Sequence, residues 1–166
     1  SYQNAGKTRR RGMELSGRTW LMPQLRLNGA LTLLDASLRS GYCDSKGQDC
    51  TPAGKRIAGT ARHLGYLGLE WLPATDWRVG LDWRHVGRIA ADDKNQVYAP
   101  SYNVASLSVG YTRRLGAWKL NAFARVDNLT DKNYVGSVIV NEGNGRYYEP
   151  APGRQWMTGA SLSYQF

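Results

Sequence analysis

Apolar and polar residues take turns along most of this chain. The last segment shows the pattern best. Trp156, Thr158, Ala160, Leu162, Tyr164 and Phe166 fall on one face, and Met157, Gly159, Ser161, Ser163 and Gln165 on the other. The same alternation separates Trp118, Leu120, Ala122, Ala124 and Val126 from Lys119, Asn121, Phe123, Arg125 and Asp127. It recurs over Ala105–Thr112, Trp77–Arg84 and Leu25–Leu34, and in noisier form near Gly12–Trp20 and Ala61–Leu72. A period of two marks a β-strand with two unlike faces, so about seven strands are expected.

Strand length and face chemistry narrow the class. Ordinary strands average about 5–6 residues, whereas a strand tilted across an apolar band about 25 Å tall needs about 9–11. The stretches here are of the second kind. Their polar faces repeat Arg, Asp, Lys and Asn, which a dry core does not accommodate and a water-filled or plugged lumen does. The expected fold is all-β, an antiparallel transmembrane β-barrel. Short connections at Met22–Gln24, Pro73–Asp76 and Arg114–Ala117 alternate with long ones at Arg39–Thr60, Ala91–Ser101 and Asn128–Gly153. Outer-membrane barrels pair short periplasmic turns with long outer loops in this way. Trp20, Trp71, Trp77 and Trp118 flank the short turns, as an interfacial girdle would.

Composition adds charge and redox information. The 22 Lys and Arg exceed the 13 Asp and Glu, for a net charge of +9, and they are spread along the chain. Only Lys7, Arg9, Arg10 and Arg11 form a tight run. In the clearest strands the aromatics lie opposite the charges, whereas a nucleic-acid surface would mix them on one face. The run is therefore read as a barrel rim facing lipid phosphates, with no nucleic-acid partner. Cys43 and Cys50 stand close together in a polar loop. Such a pair is either two free thiols or a disulfide made in an oxidising compartment, and the loop setting favours the disulfide. No His or Cys cluster suggests a metal, and His63 and His85 read as polar surface groups. Asp92-Asp93 reads as a solvated turn. No nucleophile–base–acid constellation points to an enzyme. Ser1–Gly12 has no apolar signal core, so the chain is expected to be a mature form or to lack an N-terminal part.

Several motifs carry a family resemblance. They are Asn128-Leu129-Thr130-Asp131-Lys132-Asn133-Tyr134, then Pro152-Gly153-Arg154, then a last strand ending Leu162-Ser163-Tyr164-Gln165-Phe166. Arg11-Gly12-Met13-Glu14-Leu15 and Gly54-Lys55-Arg56-Ile57-Ala58-Gly59 add to them. Together they resemble the C-terminal part of TonB-dependent outer-membrane receptors of the siderophore type. The resemblance implies a barrel of about 22 strands around an N-terminal plug. It also implies a cell outer membrane location in a Gram-negative bacterium and import of a ferric siderophore or similar scarce ligand with TonB-supplied energy. Residues 1–166 would supply about seven C-terminal strands, with neither plug nor TonB box, and would bind no cofactor of their own. Implied partners are outer-membrane lipid and lipopolysaccharide, the barrel-assembly machinery that reads Tyr164 and Phe166, and the TonB complex acting through the plug.

Ligand-binding candidates lie in the long loops. Arg146, Tyr147, Tyr148 and Arg154, beside Glu149, combine aromatic faces with guanidinium groups that suit anionic aromatic iron chelates. Arg88, Tyr98 and Tyr102 flank another loop. The rival reading is a small self-contained barrel with a structural or adhesive role, but Ser1–Thr8 is too short and polar to supply an eighth strand. The intact mass of the native polypeptide separates the two. Scaling 18.5 kDa from seven to about 22 strands predicts roughly 58 kDa or more before any plug. A native mass near 18.5 kDa would remove the receptor reading.

Overall fold

The computed structural model describes residues 6–44 and 46–166. Residues 1–5, most of the Ser1–Thr8 stretch discussed above, lie outside the described part. Among the described residues thirteen strands follow one another. Seven are long: β1 (Thr8–Met22), β2 (Leu25–Leu38), β5 (His63–Trp71), β6 (Trp77–Val86), β9 (Tyr102–Leu115), β10 (Trp118–Asp127) and β13 (Gln155–Tyr164). They form one antiparallel up-and-down sheet in the order β1-β2-β5-β6-β9-β10-β13. Six short strands pair as hairpins inside the three long loops: β3 (Tyr42–Cys43) with β4 (Cys50–Thr51), β7 (Ile89–Ala90) with β8 (Tyr98–Ala99), and β11 (Val135–Val138) with β12 (Tyr148–Pro150). With two to four residues each, they are too short to show a period in the sequence.

Register brings the alternating residues into two continuous faces. Leu81 stands opposite both Leu69 and Leu107, and Leu27 opposite both Leu69 and Thr19. Ala122 stands opposite both Tyr111 and Ala160. One face is thus an unbroken apolar band across all seven strands. The other carries the charges, cross-linked by short bonds. Glu70 pairs with Arg26 and, at 3.1 Å, with Arg78, joining β2, β5 and β6. The Tyr66 hydroxyl donates to Asp82 at 2.6 Å, leaning across Gly68, where any Cβ would lie 2.4 Å from that hydroxyl. Thr112 and Asn121, then Asn121 and Ser161, link β9, β10 and β13.

The aromatic girdle needs one correction. Trp77 packs on Tyr111 with ring centroids 4.8 Å apart, Trp118 on Tyr164 at 4.9 Å, and Tyr164 on Phe166 at 5.2 Å. These lie on the apolar face at the short-turn end, and Trp71 joins them there, opposite Leu25 and Val79. Trp20 does not. It pairs with Arg26 on the charged face, and the Arg26 guanidinium sits 5.6 Å from its ring. A register shift between Trp20 and Met22 lets Met22 face Leu25 on the apolar side instead.

Apart from Gly68, covered by the Tyr66 side chain, burial among the described residues is confined to the long-loop end. Ala36, Leu38, Ala58, Val86, Ala90, Ala91, Ala99 and Val126 are the buried apolar residues, with Ser37, Thr51 and Asn128 the buried polar ones. Most are small because loops cross close over the strand ends, as the Ser37–Arg56 and Ala61–Ile89 bridges show. Asn128 opens the third loop with φ of 52°. Its side chain accepts from the Lys132 N–H at 2.9 Å and donates to the carbonyls of Lys132 at 2.8 Å and Pro152 at 3.4 Å. The Arg154 N–H donates to the Asp131 carboxylate at 2.8 Å. The two ends of the third loop are therefore clasped together. In the first loop Cys43 and Cys50 face each other across the β3–β4 hairpin and form a disulfide.

Two outcomes follow for the native protein. Asn128→Ala strands buried bonding partners and strains a left-handed residue, a local cost of about 2–4 kcal/mol. It should speed proteolysis within 128–154, and Asn128→Gly should recover part of the loss. The disulfide closes an eight-residue loop, worth about 2–3 kcal/mol in the chain-entropy picture. Cys43→Ser with Cys50→Ser should leave assembly of the long strands intact and raise cleavage between 43 and 50, read by limited proteolysis.

Candidate functional site

The three long loops meet at one carboxylate. Asp93, in the second loop, accepts from the Tyr42 hydroxyl of the first at 2.5 Å and from the Asn141 amide of the third at 2.6 Å. The Asp93 N–H donates back to Asn141 at 2.9 Å. Asp92 shapes the turn by accepting from the N–H groups of Gln96 at 2.8 Å and Val97 at 2.7 Å. Asn95, held at φ of 58°, exchanges two bonds with the Arg56 backbone, at 2.7 and 3.0 Å. Lys94 pairs with Asp49. The Asp92-Asp93 turn is thus the fastening between loops rather than a freely solvated corner. Burial, and then the bond to Asp93, push the Tyr42 hydroxyl above its ordinary range. The N–H groups of Asp49 and Gln48 hold the Asp44 carboxyl below its usual range. A cleft of about 330 Å³ opens here, lined by Asp44, Asp49, Asp93, Glu142 and Tyr147.

A second concavity, of about 400 Å³, is aromatic. Tyr102, Tyr134 and Tyr148 wall it, with Pro100, Pro150 and Lys132. The Tyr102 and Tyr134 rings lie 4.3 Å apart. Tyr148 donates from its hydroxyl to the Tyr98 carbonyl at 3.0 Å, and the Arg88 guanidinium stacks 4.8 Å from the Tyr98 ring. Tyr134 also walls a third cavity of about 360 Å³ on the charged face, where Asp82, Arg84, Arg125 and Asp127 gather. The aromatic mouth and the charged cavity share this one side chain.

The structure therefore brings together Arg88, Tyr98, Tyr102 and Tyr148 of the ligand candidates. Tyr147 turns to the acidic cleft, with its ring 6.4 Å from that of Tyr148. Arg146 is exposed beyond both concavities, and Arg154 enters the fold through its backbone bond to Asp131. Sequence reasoning did not single out Tyr134, Arg84 and Arg125 as site residues. Tyr134 was visible as the last residue of its motif, and the two arginines as members of alternating polar faces. His63 and His85, read as separate surface groups, stack in parallel on the apolar face with centroids 5.2 Å apart. Among the described residues no group of three or more His, Cys, Asp or Glu is placed to hold a metal.

Comparison with known proteins sets this geometry in context. A family model described as TonB dependent receptor-like, beta-barrel, matches residues 1–129. Two of the motifs that carry the resemblance and most of a third lie beyond that range, and of these only the last strand belongs to the seven-stranded sheet. The ferrioxamine B receptor of Salmonella typhimurium is 30% identical over 139 residues, which cover 81% of this chain and 19% of the receptor. The chain thus spans about a fifth of the length of the curated relatives it matches. Among solved structures, the ferric citrate transporter FecA superposes with a TM-score of 0.78 at 21% identity, covering 95% of this chain and 25% of that one. The siderophore receptor PiuA from Acinetobacter baumannii gives 0.77 at 20% identity, covering 95% and 22%. At such identities the superpositions speak for the fold alone. Seven long adjacent strands with one apolar and one charged face are what a wall of such a barrel requires, and with the family match over most of its length the chain belongs to the TonB-dependent receptor β-barrel family.

Proposed function

We propose that this chain is a wall segment of an outer-membrane receptor that imports a ferric siderophore with energy supplied through TonB. The observation that carries the reading is the aromatic mouth of Tyr102, Tyr134 and Tyr148, opening beside the charged cavity through a shared residue. Within a barrel of this family the charged face lines the lumen and the loops face the cell exterior. A ferric chelate would rest on the tyrosine faces, steered by Arg88 and then by Arg84 and Arg125 below. Ferrioxamine is the first cargo to try, given the receptors to which the sequence is similar. The family is one of transport receptors, and the segment supplies wall and loops rather than a reaction centre.

The partners follow from the same reading. β1 and β13 each have one unpaired edge in the seven-stranded sheet, and unpaired backbone groups are not tolerated in lipid. Further strands of the same barrel would close them, which disfavours a self-contained small barrel. The TonB complex would act through a plug in the lumen. Tyr164, edge-on to Trp118, and Phe166, edge-on to Tyr164, at the short-turn end, would be the residues that the assembly machinery reads.

The test uses the native receptor in iron-starved cells. Tyr102→Ala with Tyr134→Ala removes the closest aromatic pair. Each contact with an aromatic chelate is worth about 0.5–1.5 kcal/mol, so the apparent Kd for a ferric catecholate should rise about tenfold and uptake of its radiolabelled iron fall with it, with ferrioxamine measured beside it as the non-aromatic cargo. Unchanged binding in a correctly assembled double variant would remove the cargo from this segment.

A further inference from the structure

The apolar face is not evenly covered. Between β1, β2 and β5 it is indented into a groove of about 670 Å³, bordered by Leu15, Leu31, Leu67 and Trp83. The floor is glycine. Gly17 and Gly29 stand directly opposite each other, and Gly65 stands opposite Leu31. Packing within the seven-stranded sheet does not call for the first two. A Cβ on Gly17 would meet nothing within 4 Å, and one on Gly29 would make ordinary contact with the Leu67 methyl at 3.4 Å and the Tyr66 carbonyl oxygen at 3.9 Å. Neither has a left-handed backbone. Glycine inside a strand weakens it, so these positions give up strand stability and leave open space on the side that meets lipid.

The groove continues towards the loop end into a second cavity of about 440 Å³, and His63 lines both. Met13 and Leu33 give way there to Arg11, Asp35 and Arg62. Asp35 accepts from Arg11 at 3.0 Å and lies 3.6 Å from Arg9. Two guanidinium groups thus share one carboxylate, leaving a positive surplus, and the Arg11 side chain is 68% exposed. From Gly17 to Arg11 is about 20 Å along the strand. At a tilt of about 40° this is about 15 Å of depth, close to half of an apolar band about 25–30 Å tall. The glycines therefore lie near mid-membrane when the arginines lie at headgroup level.

We propose that this groove is a lipid site, holding one acyl chain of a phosphorylated lipid of the outer leaflet with its phosphate against Arg11 and Arg62. Two features select this occupant. The concavity is apolar along one leaflet's depth, and the positive surplus comes where the chain would end in its headgroup. A protein partner would not need the charge at that height, and a free phosphate would not need the groove. The site rests on the outer-membrane reading but not on the identity of the imported cargo.

The test is native mass spectrometry of the whole receptor, released from phosphatidylcholine nanodiscs doped with lipid A or with its dephosphorylated form. The unmodified receptor should retain one lipid A in preference to the dephosphorylated form. Gly17→Leu with Gly29→Leu fills the groove and should cut retention of both at least tenfold. Arg11→Gln should cut the preference for the phosphorylated form about fivefold, a surface charge being worth about 1 kcal/mol. Heat-modifiable electrophoretic mobility checks that each variant is a folded barrel. Equal retention by folded variants and the unmodified receptor overturns the site, as does an unmodified receptor that retains neither lipid. Iron uptake measured on the same samples reads the import proposal separately: its loss with lipid retention intact counts against import alone.

Discussion

In hydrocarbon no water is at hand to satisfy a backbone N–H or carbonyl, so each must find its partner in the neighbouring strand. Everything else in this chain is arranged around that requirement. Long unbroken strands such as β9 (Tyr102–Leu115) follow from it, and so do the tight connections at one end. Once the ladder is fixed, side-chain alternation becomes a global property. A slip of one residue between β5 and β6 would turn Leu81 and Trp83 towards the charges and Asp82 towards lipid. The bonds from Tyr66 to Asp82 and from Arg26 through Glu70 to Arg78 hold the register on one face. Leu69, Leu81 and Leu107 hold it on the other.

The loop end obeys a different rule. There water is present and the chain can bury small residues, so ordinary packing resumes with Ala90 and Ala91 fully enclosed. Three loops, each with only a short hairpin of its own, are fastened to one another by side chains, with Asp93 serving all three. The aromatic mouth is stiffened in the same way, with Tyr148 tied to the Tyr98 backbone and Tyr102 packed on Tyr134. A binding surface made of loops keeps its shape only if such fastenings replace the ladder.

The wall was legible in the sequence because its pattern is periodic and each residue's face follows from its parity. Trp20 was misplaced because nearness to the turn was weighed above parity: it shares its face with Glu14, Ser16 and Arg18, and the bulge that follows moves only Met22. The loop hairpins and the Asp93 hub were not legible. The hairpin strands are too short to show a period, and the hub depends on contacts between residues nearly 50 apart in the chain, such as Asp93 with Asn141. Of the site candidates, Tyr98, Tyr102, Tyr148 and Arg88 came together, because residues flanking the same loop ends must be neighbours in an up-and-down sheet. Arg146 and Tyr147 went elsewhere because the β11–β12 hairpin carries its tip away from the sheet. The glycine groove was invisible as such: Gly17, Gly29 and Gly65 become one surface only when three strands are laid side by side.

The clasp formed by Asn128, Asp131, Pro152 and Arg154 has a consequence for how such a receptor can change over time. It brings the two stems of the third loop together before the β11–β12 hairpin begins. Closing a longer loop adds only slowly to the entropic cost, about 0.6 kcal/mol per doubling of length. The stretch between the stems can therefore lengthen, shorten or be rewritten while strands β10 and β13 keep their register. The tip of the loop is thus a cassette that can be exchanged without refounding the wall that carries it.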